Sequence, residues 1–230
     1  MKIFLKYKEM TTKTFEPKIS KEDLNKLEAE TYKGSIFVVN TVEEAEDAIS
    51  YLKSQSIVGF DTETKPSFVK GERHTVSLLQ LGDSKVTYLF RLNKIGITES
   101  LLKFFNCRSV LKIGLSTKDD FRALRELKKG IRFSKFIELQ NYVTQYGIEE
   151  KSLTKIYALI FNKRISKSQR LTNWEAENLT DKQKQYAALD SYATRRIFAH
   201  LEGIKKQTSH TTEAEDISAD TEINEDISPK

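Results

Sequence analysis

The stretch IVGFDTETKP, Ile57 to Pro66, begins as a buried strand and ends in two carboxylates. Ile57, Val58 and Phe60 ask for an apolar environment. Asp61 and Glu63 do not. Successive strand side chains alternate faces, so Asp61 and Glu63 point the same way, roughly 6–7 Å apart along the chain. Two carboxylates so placed repel each other unless a cation or a shared proton lies between them. The plain alternative is a strand that runs into a polar turn closed by Pro66. The stretch alone does not decide between the two.

The rest of the chain sets bounds. Its 230 residues suit one domain of about 200 residues plus extensions, large enough to bury a core without staples. Cys107 is the lone cysteine, which excludes an intrachain disulfide and a cysteine zinc cluster and fits a reducing compartment. The opening MKIFLKYKEM is too short and too interrupted by lysine for a signal peptide, and no apolar run reaches the roughly 18 residues of a membrane span. A soluble, cytoplasmic protein is expected.

The net charge of +5 is uneven: residues 207–230 carry −6 and residues 1–206 carry +11. The acidic end has no aromatic residue and repeats EDIS, which predicts a disordered tail. The basic body suggests an anionic partner, nucleic acid first. Lysines that merely solubilise the surface would explain the charge equally well.

Periodicity sets out the elements. A loose arm and a short helix opened by Ser20 fill residues 1–33. GSIFVVN (34–40) reads as a strand. TVEEAEDAISYLKS begins with a Thr41/Glu44 capping box and carries a Val42, Ala45, Ile49, Leu52 stripe. TVSLLQLGDSKVTYLFRL reads as two strands about a tight turn at Gly82–Ser84. A helix in ITESLLKFFN, a strand in SVLKIGL (109–115) and a helix in STKDDFRALRELKKG follow. The last third is mainly helical, with SLTKIYALIFN (152–162) and a long segment at 180–204 that Thr180 can cap. Strands with a hairpin, then alternating strands and helices, predict a mixed sheet flanked by helices, an α/β fold. Neither a dinucleotide-binding glycine motif nor a P-loop is present.

Further acids fall at telling places. On the 180–204 segment, Tyr186, Leu189, Ala193, Ile197 and Leu201 share a stripe, and Asp190 lies on it. An aspartate on a buried stripe is uncommon unless paired, hydrogen-bonded or metal-bound. A partly exposed Asp190 at the stripe's edge remains the alternative. In the helix after KIGL, Asp119 and Asp120 sit where the helix dipole favours negative charge. Asp120 shares the packing face with Ala123, Leu124 and Leu127, whereas Asp119 shares the outer face with Arg122. Four acids gathered in a basic protein need cations, and all-oxygen donor sets suit Mg²⁺ or Mn²⁺.

Taken in order, these residues resemble the DEDD superfamily of 3′–5′ exonucleases, in the Tyr subclass that includes RNase D and the Werner-type exonuclease domain. Asp61-Thr62-Glu63 matches the first motif. KIGLSTKDDFRAL matches the second, with Asp120 six residues after Gly114. Tyr186-Ala187-Ala188-Leu189-Asp190 matches the third. SLLQLG (77–82) and the text around Trp174 resemble the flanking stretches, so the resemblance covers about residues 35–202.

The resemblance implies a ribonuclease H-like fold over 34–206 and a substrate strand of RNA or DNA with a free 3′ end, cut to nucleoside 5′-monophosphates. It implies two divalent ions, Mg²⁺ or Mn²⁺. Asp61, Glu63 and Asp190 would hold the first, Asp61 would bridge to the second, and Asp120 would reach it directly or through water. Tyr186 would orient the attacking water. Thr62 and Thr64 would contact nucleic acid. The charge of the loop KRISKSQR, read by itself, suggests that Lys167 and Arg170 contact phosphates, with solvated charges as the alternative. No obligate protein partner and no membrane are implied. The rival is a nucleic-acid-binding module of the same fold with weak catalysis. Glu138 stands where relatives usually show Asp. The helical domain that ends longer RNase D proteins is expected to be absent, with only the acidic tail after the last motif. Trp174 and Cys107 are expected in the core, Gln80 is expected to satisfy backbone groups, and the histidines are given no role.

Overall fold

The computed structural model describes residues 15–221, with side chains described through residue 205. Helix α1 (Lys21–Lys26) is capped by Ser20, whose hydroxyl accepts from the Asp23 amide. Strand β1 (Ser35–Val39) and helix α2 (Val42–Lys53) follow, and the expected Thr41/Glu44 capping box opens α2. Next come β2 (Ile57–Thr64), β3 (Val76–Gly82) and β4 (Val86–Phe90). The short α3 (Leu92–Ile95) leads to α4 (Glu99–Asn106), β5 (Leu111–Gly114) and α5 (Lys118–Leu127). Strand β6 (Phe136–Glu138) runs into α6 (Leu139–Tyr142), then a tight turn of 3-10 helix, α7 (Leu153–Phe161) and α8 (Asp181–Thr221).

The six strands form one mixed sheet in the order β1-β4-β3-β2-β5-β6. Strand β2 lies inside it, antiparallel to β3 and parallel to β5. The expected α/β architecture is present, with four short elements that periodicity did not reveal: α3, β6, α6 and the 3-10 turn. The run ending YLFRL stops as a strand at Phe90 and turns into α3. FIE, at 136–138, is a strand: three residues are too few to display a period, and pairing with β5 makes them one.

Each sheet face has its own core because neighbouring strand residues point opposite ways. On one side Val58, Phe60, Leu79 and Leu81 pack with Ala45, Ile49 and Leu52 of α2 and Leu101 and Phe105 of α4. Phe60 meets Phe105, Phe121 and Phe136 at ring-centroid distances of 6.4, 5.9 and 5.2 Å. On the other side Leu78 and Leu89 pack with Trp174 and with Ala187 of α8. Trp174 is fully buried, as expected, whereas Cys107 is only half-buried.

The start of α8 has the expected cap. The Thr180 hydroxyl accepts from the Gln183 amide at 3.2 Å, and the Gln183 side-chain oxygen accepts from the Thr180 amide at 3.0 Å. Upstream, the buried guanidinium of Arg91 donates to the carbonyls of Ala176 and Glu177 and ties the segment after Trp174 to the end of β4. The helical backbone continues beyond the expected 204 to Thr221. The predicted tail at 207–230 therefore falls partly on this backbone and partly, from 222, outside the described residues. Most of the predicted arm, residues 1–14, also lies outside them. Among the described residues no helix is long and apolar enough to cross a membrane.

Candidate metal centre

Gly59, Asp61 and Glu63 alternate onto the sheet face that α8 covers. Gly59 carries no side chain, and α8 comes down directly on it, with the Ser191 carbonyl over the position a Cβ would take. Thr194 fastens the approach: its hydroxyl lies 3.0 Å from the Ile113 carbonyl on β5 and 2.8 Å from that of Ser191. The helix is thereby set so that Asp190 meets the carboxylates of β2. One ligand oxygen from each of Asp61, Glu63 and Asp190 lies within 4.8 Å of the other two. Asp190 is buried rather than held at the stripe's edge.

The electrostatics of this trio are unfavourable in the bare protein. Burial pushes the Asp61 carboxyl well above its ordinary value, and the charges of Asp190, Glu63 and Asp120 push it the same way. Glu63 is raised to about 9 by burial, then by Asp190 and Asp120, with Arg170 pulling against them. Asp190 is raised to about 7 by burial, opposed by a hydrogen bond from Tyr186 and by the charge of Lys167. Burial and the neighbouring carboxylates push the Tyr186 hydroxyl far up, which keeps it protonated.

Asp120 stands beside the trio rather than in it. Its carboxylate accepts a hydrogen bond from the Thr62 hydroxyl, on the residue between the two β2 acids. Burial raises its pKa and that bond lowers it. Asp119 is exposed and pairs with Arg122 at 3.0 Å, as the face assignment predicted. The loop that starts α5 is held by Glu138 at the end of β6. Its carboxylate accepts from the Ser116 amide at 2.7 Å, the Thr117 amide at 2.8 Å and the Thr117 hydroxyl at 2.9 Å. Thr117 makes no side-chain cap of its own, so Glu138 supplies the negative charge that a helix start favours. Sequence reasoning gave Glu138 no part, and only the short β6 pairing brings it here.

A cavity of about 380 Å³ opens over these groups, lined by Asp61, Tyr186, Asp190, Lys151, Lys167 and Arg170. Lys167 and Arg170, assigned to nucleic-acid contact from the sequence, both line this cavity. Thr62 commits its hydroxyl to Asp120, and Thr64 is exposed at the strand end. Gln80 departs from expectation. It faces Asp61 across the β2–β3 ladder, is fully buried, and neither its amide nitrogen nor its oxygen has a partner.

The donor set suits a hard divalent cation. Three carboxylates converge, and among the described residues no Lys, Arg or His forms a salt bridge with any of them. The unpartnered Gln80 amide beside Asp61 adds a polar group that a hydrated ion could satisfy.

Comparison with known proteins agrees with this geometry. The model of a 3′–5′ exonuclease family matches residues 36–206. The mouse bifunctional 3′–5′ exonuclease/ATP-dependent helicase WRN is 31% identical over 165 residues, which cover 68% of this chain and 12% of that protein. Among solved structures, the Aedes aegypti Nibbler EXO domain aligns with a TM-score of 0.69 at 25% identity, covering 80% of this chain and 94% of that one. Escherichia coli RNase D, at 18% identity, shares the fold with a TM-score of 0.67 over 77% of this chain and 46% of that one. The chain spans under half the length of the curated relatives it matches first. The mixed sheet and the family match together make the fold ribonuclease H-like, and the chain belongs to the 3′–5′ exonuclease family.

Proposed function

We propose that this chain is a metal-dependent 3′–5′ exonuclease of the Tyr subclass, removing nucleoside 5′-monophosphates from the 3′ end of a nucleic acid. The convergence of Asp61, Glu63 and Asp190 within 4.8 Å carries the proposal. Held by these three, with Asp120 serving a second position, two Mg²⁺ or Mn²⁺ ions would supply an activated water and charge stabilisation at the scissile phosphate.

The chain's own groups do the rest. Tyr186 keeps its proton and orients the attacking water; it is no base at neutral pH, because burial and the neighbouring carboxylates raise its pKa. Lys167 and Arg170 line the same cavity and attract the phosphate backbone. Thr62 holds Asp120 in place, and Glu138 holds the loop before it. Water oxygen bonds to phosphorus, and the 3′ oxygen of the preceding nucleotide leaves and takes up a proton.

Digestion of 5′-labelled single strands with Mn²⁺ or Mg²⁺ tests the proposal. A ladder shortening from the 3′ end, absent with Asp61→Ala and absent without metal, is the expected result. Unchanged degradation by Asp61→Ala would overturn it.

A further inference from the structure

Phe68, Val69 and Leu171 are 80%, 67% and 58% exposed, and they account for three of the five exposed large hydrophobic residues among those described. All three line one cavity together with Lys65 and Glu72. A single exposed apolar side chain needs no explanation, but a cluster beside a reaction site does. Two segments build this one. The first is the connection from β2 to β3, which leaves the sheet after Thr64, one residue beyond Glu63. The second is the stretch before Trp174, in which Leu171 follows Arg170. Arg170 lines the carboxylate cavity and lowers the pKa of Glu63, so the patch adjoins the metal centre on its Glu63 side.

The patch is built rather than frayed. The Ser67 hydroxyl lies 3.1 Å from both the Val69 carbonyl and the Glu72 carboxylate. Lys65 pairs with Glu175 at 3.4 Å, and His74 stands between Glu72 and Glu175 at 3.3 Å from each. The Thr172 hydroxyl donates to the Gln169 carbonyl at 2.7 Å. These bonds brace the two segments while leaving Phe68 turned to solvent. The same segments carry Lys65, Lys70, Arg73, Lys167 and Arg170, against Glu72 within them and Glu175 just beyond Trp174. Exposed apolar surface rimmed by cations complements one ligand chemistry well: unpaired nucleobases strung on phosphates.

Resting on the function proposed above, we propose that Phe68, supported by Val69 and Leu171, is a stacking platform for the unpaired bases just upstream of the 3′ terminus. Paired bases hide their faces inside a duplex, so the platform selects single-stranded or frayed ends. Every base has a π-face, so the platform tolerates any sequence.

The test compares the full chain with Phe68→Ala and Phe68→Trp on three substrates in Mn²⁺. The first is the nitrophenyl ester of thymidine monophosphate, which has a scissile bond but no upstream base. The second is a labelled single strand, and the third is the same strand with abasic nucleotides behind its terminus. Phe68→Ala should hydrolyse the ester as the wild type does and lose about five-fold or more in kcat/KM on the intact strand. Both proteins should cut the abasic strand equally slowly, and Phe68→Trp should restore the intact-strand rate. Equal rates of Phe68→Ala and wild type on the intact strand would overturn the platform. So would an equal loss on the abasic strand, or a parallel loss on the ester. Binding of a 3′-blocked fluorescent strand in EDTA reads the platform without turnover. Weaker binding by Phe68→Ala supports it and unchanged binding overturns it, even if the wild type degrades nothing and the exonuclease reading fails.

Discussion

A Cβ added at Gly59 on β2 would lie 1.7 Å from the carbonyl oxygen of Ser191 on α8. No side chain fits there without moving helix backbone. Gly59→Ala should therefore push α8 off β2, destabilise the fold by about 1–3 kcal/mol and separate Asp190 from Asp61 and Glu63. Denaturant unfolding measures the first effect and Mn²⁺ titration calorimetry the second. Wild-type metal affinity in Gly59→Ala would show that the close approach does not set the centre.

The bare centre stores repulsion, so neutralising one member should relieve it. Asp61→Asn is expected to stabilise the metal-free protein by on the order of 1 kcal/mol, seen as a higher melting temperature, while abolishing the rise that Mn²⁺ gives the wild type. Differential scanning fluorimetry with and without Mn²⁺ reads both.

Stability should depend on pH with a definite sign. Glu63 at about 9 and Asp190 at about 7 lie above the ordinary carboxylate values they regain on unfolding. The folded state then binds more protons than the unfolded one between about pH 4 and 9, so metal-free stability falls as pH rises through that window. Metal binding displaces those protons, so stabilisation by Mn²⁺ should grow over the same range. A melting profile whose metal increment is flat from pH 5.5 to 9 would contradict this.

Glu138 acts on Asp120 at one remove. Glu138→Ala should lower kcat about 10- to 100-fold with the fold intact, since it frees the Ser116 and Thr117 amides that start α5. Glu138→Gln, which keeps one acceptor, should recover part of the loss. Circular dichroism with steady-state kinetics separates the loop effect from unfolding.

Tyr186→Phe should lower kcat without removing a limb of the pH–rate profile, because the Tyr186 hydroxyl stays protonated throughout the working range. A basic limb that vanishes in the variant would identify Tyr186 as a titrating base instead.

The pattern of periodicities reached most of the architecture, because α2, α4, α7 and the start of α8 carry clear caps and stripes. The carboxylate trio was legible from spacing: two acids on alternate strand positions and one on a helical stripe. Elements fixed by long-range pairing were not. Strand β6 owes its existence to β5, and with it went the role of Glu138. Gln80 was misread for a related reason. Its register opposite Asp61 follows from the pairing of β2 with β3 and not from its neighbours in sequence, and its side-chain amide finds no hydrogen-bond partner there.

Assembly order has a consequence for the living chain. Asp61 and Glu63 leave the ribosome early, and the Lys167–Arg170 loop, the Thr180 cap and Asp190 leave late. Until α8 is laid over Gly59, a growing polypeptide owns the two β2 acids and Asp120 but not Asp190, and the trio of converging carboxylates does not exist. The proposed nuclease is thus inert until the segment that carries Asp190 has been made and laid in place, which spares nearby nucleic acids from a half-finished domain.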